Sequence, residues 1–137
     1  MASNFSLAHT LLQEAERCFE EAQRYFAEGD WNFAIPRAQE SVELALKSLL
    51  RAGGWEVPRR HDVGALVIDR LRASGITVDE EIAERVINAS ERLAQQRAPA
   101  FYWEAIFERP DAEVAVADAE FVLAWARDLM RQMQGGA

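Results

Sequence analysis

The chain has 137 residues, half of them hydrophobic, and a formal net charge of −8. That length suits one domain with a single core, and the hydrophobic content excludes general disorder. The acidic balance excludes indiscriminate binding to duplex DNA, which needs several Lys or Arg side chains on phosphates.

Apolar residues recur at Ala8, Leu11, Leu12, Ala15, Cys18, Phe19, Ala22, Tyr25 and Phe26. This spacing predicts an amphipathic helix from about Ser6 to Glu28, stopped by Gly29. Asp30 is then the expected cap of a second helix, with Ile35, Ala38, Val42, Ala45, Leu46 and Leu49 on one face and Gly53-Gly54 as its end. Pro36 near its start predicts a kink or a late first turn, because proline lacks the N–H that the ladder uses. Phe33 and Leu44 fall roughly opposite that core stripe, on a face shared with Arg37, Glu40, Lys47, Ser48 and Arg51. An apolar pair on an outer face is read as partner contact.

A loop from Trp55 to His61 follows. Asp62 is the expected cap of a short third helix with Val63, Leu66, Val67 and Leu71 inward and Gly75 as its stop. Asp79 is the expected cap of a fourth, with Ile82, Val86, Ala89 and Leu93 inward. Between Pro99 and Pro110 the pattern breaks up into the aromatic-rich run PAFYWEAIFERP. Asp111 is the expected cap of a fifth helix to about Met133, with Val114, Ala117, Phe121, Trp125 and Leu129 inward. No segment alternates with period two. The reading is therefore all-α: an antiparallel up-and-down bundle of four or five helices, one domain over 1–137 with its core at about 5–132.

No apolar run approaches the roughly 20 residues needed to span a bilayer. The N-terminal MASNFSLAHT has no basic stretch followed by an apolar one, so no secretory signal is expected. The single cysteine, Cys18, permits no intrachain disulfide and lies on the apolar stripe of helix one, as a buried structural thiol would. A cytoplasmic location is expected.

Catalytic constellations are sparse. Two histidines, His9 and His61, and one cysteine give no paired zinc-ligand spacing, and no glycine-rich phosphate loop occurs. No metal site and no cofactor are expected. One local feature stands out. From Lys47 to Arg72 the chain carries Lys47, Arg51, Arg59, Arg60, Arg70 and Arg72 against only Glu56, Asp62 and Asp69. His61 follows Arg59-Arg60 directly, at the positive end of a predicted helix. Lys47, Arg59, Arg60 and His61 are therefore the candidate anion contacts, with Glu43 competing for Lys47 as its i,i+4 partner. Tyr102 and Trp103 are candidates to stack on a base, or to pack in an interface. Phe33, Leu44 and Trp103 are the candidate dimer contacts.

The run DWNFAIPRAQESVELALKSLLRAGGWEVPRRHDVGALV resembles the HEPN domain family. The carrying features are Asp30-Trp31, Ala38-Gln39, the stretch Val42 to Lys47, and His61-Asp62 followed by Leu66. Pro110-Asp111 before a last helix with Asp118-Ala119-Glu120 and Trp125 adds to them. The resemblance covers about residues 5 to 132. It implies a helical bundle that usually dimerises, with a nucleotide, RNA or nucleotidyltransferase as partner, as in toxin–antitoxin-like pairs. Many relatives are RNA-cleaving toxins that carry Arg, four to six residues, then His, late in the fold. Here no histidine follows His61, and no arginine stands five to seven positions before either histidine. The reading is therefore a non-catalytic binding bundle. Its alternatives are a metal-independent ribonuclease with a non-standard site and a pure protein-interaction module.

Overall fold

The computed structural model describes residues 3–135. They form five α-helices: α1 (Asn4–Ala27), α2 (Trp31–Ala52), α3 (Gly64–Ala73), α4 (Glu80–Phe101) and α5 (Arg109–Gly135). Among the described residues there is no strand, and no helix is long and apolar enough to cross a membrane.

α2 is the axis of the bundle and packs against each of the other four helices. Its core stripe is joined by Ala34, Pro36, Gln39, Ser41, Ser48 and Leu50, all buried. Ser48, expected on an outer face, is fully buried and donates to the Ala45 carbonyl at 2.6 Å. Ser41 donates to the Ala15 carbonyl of α1 at 2.8 Å. Small hydroxyls that spend their donor on backbone carbonyls let α2 bury faces that composition alone marks as polar. The helix starts at Trp31, not late, and runs on through Pro36.

The inward face of α5 is rotated from the one expected. Val114 and Ala117 are exposed, and Phe121 and Trp125 are half-buried. The buried line is Ala112, Ala115, Ala119, Val122, Leu123, Ala126, Leu129 and Met130. Small alanines on this line permit close approach to α2, which large side chains would hold off. Asp118 lies on the same side, 6 % exposed, and is held by Arg92 and, at 3.8 Å, by Arg85 from α4.

Helix ends follow the expected glycines. At Gly29, Gly54 and Gly75 φ is positive, and each closes a Schellman pair, as in Trp55 N–H to Leu50 O and Gly54 N–H to Arg51 O, both 3.0 Å. Asp79 caps α4 through the Glu81 and Ile82 N–H groups. The other aspartates behave differently. Asp30 stands at the cap position of α2 without a side-chain cap bond. Asp62 is not the cap of α3; that position is Val63. Its carboxylate instead accepts from Ser90 on α4 at 2.7 Å, and Ser90 Oγ accepts the Gly64 N–H at 3.1 Å. A Cβ at Gly64 would lie 2.7 Å from the Ser90 Cβ, so glycine is what lets α3 dock this closely. Asp111 sits inside the first turn of α5 and accepts the Glu108 N–H at 2.9 Å.

The proline-bracketed run does not break the bundle where expected. α4 continues through Pro99 to Phe101, and the irregular part is the short turn from Tyr102 to Glu108.

Candidate functional site

α2, the loop before α3 and the C-terminal half of α4 enclose a groove with three connected parts. The widest, about 390 Å³, is lined by His61, Ala94, Arg97, Ala98, Phe101 and Tyr102. A slot of about 140 Å³ is lined by Tyr25, Phe33, Pro36 and Phe101 together with Arg37, Glu40 and Arg97. A recess of about 120 Å³ holds Glu40, Glu43, Leu44, His61 and Arg97. Arg97 lines all three.

The groove floor is a polar relay. Glu43 side-chain oxygens accept from Lys47 Nζ at 2.7 Å, Gln39 Nε2 at 2.8 Å and His61 Nδ1 at 2.7 Å. Glu43 and Lys47 are one helical turn apart and only 15 % and 14 % exposed. Burial by itself would raise the Glu43 pKa. The hydrogen bonds from Lys47, Gln39 and His61, with the Lys47 charge, outweigh it and hold the carboxyl below its ordinary value. Gln39 passes the relay on: its Oε1 accepts from Arg97 at 2.7 Å. Arg97 also approaches Glu40 at 3.8 Å, and Glu40 pairs with Arg37, which reaches Glu21 on α1 at 3.1 Å. Cys18 lies among these acids. Burial, with Glu40 next, pushes its thiol up to about 11, so it stays protonated at neutral pH and is a poor nucleophile.

The candidate anion residues separate into two sets. Lys47 and His61 meet on Glu43, and His61 shares the wide part of the groove with Tyr102. Arg59 and Arg60 lie on the exposed loop before α3, where Arg60 Nε donates to the Asp62 carbonyl at 3.2 Å. The Lys47 ammonium is committed to Glu43, so the free cationic character of the groove comes from Arg97, a residue that sequence spacing did not single out. Gln39 and Asn32 were missed too, because their roles depend on partners on other helices.

The candidate interface residues lie around the same opening. Phe33 stacks obliquely on Tyr25 with centroids 5.7 Å apart and meets Trp103 edge-on at 6.3 Å. Leu44 is half-buried against the core. Trp103 has φ +56°, the one non-glycine with positive φ among the described residues. It occupies the left-handed stop of α4, with Glu104 N–H reaching back to Pro99 O at 2.9 Å. Asn32, 2 % exposed, fastens this turn. Its Nδ2 donates to Ala100 O at 3.1 Å and Ala105 O at 2.8 Å, and its Oδ1 accepts the Phe107 N–H at 2.9 Å. The turn so held presents Phe101, Tyr102, Trp103 and Ile106 at 52, 70, 54 and 76 % exposure.

Compared with protein families, the chain matches the HEPN domain over residues 8–129. The chain belongs to the HEPN family. Two solved structures share its fold. The crystal structure of TT1696 from Thermus thermophilus superposes with a TM-score of 0.73 at 26 % identity, over 88 % of this chain and 96 % of that one. The crystal structure of an archaeal HEPN homologue superposes with a TM-score of 0.69 at 23 % identity, over 95 % of this chain and 99 % of that one. No curated protein matches the chain. Set against the ribonuclease spacing of the family, this HEPN domain has Arg97 and then, after four intervening residues, Tyr102 where a histidine would stand. The imidazole that general acid–base work on RNA uses is therefore absent from this position.

Proposed function

We propose that this HEPN domain binds a nucleotide, free or at the end of a single-stranded RNA, without cleaving it. The observation that carries this reading is Arg97. It lines every part of a groove whose walls also carry the rings of Tyr25, Phe33, Phe101 and Tyr102 beside the carboxylates of Glu40 and Glu43, and its guanidinium matches the fork geometry of phosphate. In this arrangement the phosphate meets Arg97 and His61. Arg59 and Arg60 extend the positive charge along the adjoining loop, with Lys47 behind. Tyr102 and Phe101 supply ring faces to sugar and base. Absence of cleavage rests on Tyr102 standing where the ribonuclease spacing has a histidine.

Fluorescence anisotropy of a short labelled oligoribonucleotide at low salt tests it. Binding should weaken as salt rises, because phosphate contacts release counterions. Arg97→Ala should weaken it about tenfold or more, the loss of one charge-assisted contact. Equal binding by wild type and variant, or cut RNA that tracks with the protein through purification, sinks the reading.

The exposed aromatic turn supports a second element of the proposal, a homodimer built on Trp103, Phe33 and Leu44. Aromatic side chains held rigid and half out of solvent are the composition of interface hot spots. Ile106→Asp and Trp103→Asp should each shift the sedimentation mass from dimer to monomer, since an unpaired charge in an apolar interface is strongly unfavourable. A wild-type protein that is monomeric at high concentration overturns this element.

A further inference from the structure

We propose that the groove selects guanine, and that Glu40 makes the selection; this rests on the nucleotide reading above. The narrow slot has aromatic and apolar walls, Tyr25, Phe33, Pro36 and Phe101, suited to the flat face of a base. Ring faces do not distinguish one base from another, so identity must be read by the charged groups of the lining.

Three charged groups stand there. Arg37 is occupied, bonded to Glu21 at 3.1 Å and to Glu40 Oε1. Arg97 is fixed by Gln39 at 2.7 Å and faces the wide compartment as well as the slot. Glu40 is different. Its Oε1 accepts from Arg37, while Oε2 stands 3.8 Å from Arg97, beyond hydrogen-bond reach. Glu40 Oε2 is thus an acceptor with unused capacity in the lining of an aromatic slot. Glu43 does not compete, because Lys47, Gln39 and His61 already take its oxygens.

An ionised carboxylate only accepts. It therefore favours a base edge made of donors and is repelled by acceptor atoms. Guanine alone places two donors, N1–H and the N2 amine, side by side on its Watson–Crick edge. Adenine and cytosine set a ring acceptor beside their amine, and uracil flanks its single N–H with two carbonyls. With the base in the slot, the phosphate end falls toward the wide compartment, where Arg97 and His61 stand. One arginine then spans both ends of the ligand.

Calorimetric titration of the full chain with guanosine, inosine and adenosine monophosphates tests the proposal. Inosine keeps N1–H and lacks the amine, so the expected order is guanosine, then inosine, then adenosine. The first and last should differ about tenfold or more, the discrimination of a good bidentate contact to a base edge. Glu40→Gln should erase the preference, because an amide offers a donor as well as an acceptor. That change also touches Arg37, so the wild-type series decides by itself. Adenosine monophosphate bound as tightly as guanosine monophosphate overturns the guanine assignment and leaves the nucleotide reading standing. No binding by any of the three, with a helical spectrum intact, overturns both.

Discussion

Asn32→Ala should lower folding stability by about 2–4 kcal/mol, a large effect for a change that removes only an amide. The side chain is 2 % exposed and makes three hydrogen bonds to backbone groups 68 to 75 residues away. Alanine leaves the Ala100 and Ala105 carbonyls and the Phe107 N–H without their partner, and an orphaned buried polar group costs about 1–3 kcal/mol. Water reaches two of the three, which are only part-buried, so the penalties do not simply add. The effect extends to the turn. Trp103 is held in a left-handed conformation that costs an L-residue about 1 kcal/mol or more, and it persists only while its surroundings over-determine it. Loss of Asn32 should release it, so that Trp103 no longer meets Phe33 and the groove wall formed by Phe101 and Tyr102 loosens. Urea titration gives the stability change and amide exchange from Tyr102 to Phe107 gives the release. A variant within 0.5 kcal/mol of wild type, with that exchange unchanged, would show that the turn holds itself.

The all-helical bundle was readable because local signals agreed with one another. Gly29, Gly54 and Gly75 take the left-handed conformation that ends a helix, and Asp79 caps α4 through two backbone donors. Signals that depend on a distant partner misled. Asp62 and Asp111 look like caps because aspartate before an apolar run usually is one. Asp62 instead spends its carboxylate on Ser90, 28 residues away, and no local pattern encodes that bond. The face of α5 was misread because hydropathy weights Phe121 and Trp125 above alanines, whereas a helix packed close to α2 needs the alanines inward. Pro99 suggested a break in α4, but the helix ends two residues later, where Asn32 ties down the turn.

The site was legible in part. His61 and Lys47 stood out by charge, and the i,i+4 spacing put Glu43 beside Lys47. What spacing could not supply was the third approach, from His61, 18 residues on, which makes Glu43 the junction of the relay. Arg97 was hidden for another reason. It sits in a helix with several arginines, Arg85 and Arg92 among them, which serve the buried Asp118 instead. The turn of α4 on which each arginine falls decides whether it holds the bundle together or faces the groove.

Glu43→Gln should cost about 3 kcal/mol at pH 7, and that cost should shrink in acid. The wild-type carboxylate and the Lys47 ammonium are a mostly buried pair, 15 % and 14 % exposed. Breaking such a pair from one side leaves an uncompensated charge, which costs about 3–5 kcal/mol when burial is complete, and somewhat less here because a little solvent reaches both groups. The amide still accepts, but it brings no charge to Lys47 and adds donors that face Gln39 and His61. The pH dependence follows from the direction of the Glu43 shift. In the folded protein its carboxyl titrates below the ordinary value. Above the unfolded pKa the group is ionised in both states, and the full contribution of the pair is present. As pH falls through the unfolded pKa and then the lowered folded one, the unfolded chain takes up a proton that the folded chain does not yet hold. Acid therefore favours unfolding there, until the folded carboxyl is protonated too and the contribution is gone. A protonated carboxyl resembles an amide, so the wild-type and variant stability curves should converge at the acid end. Urea midpoints at pH 7 and at successive steps into the acid range measure both effects. A stability difference that stays constant across those steps would mean that Glu43 acts through packing alone.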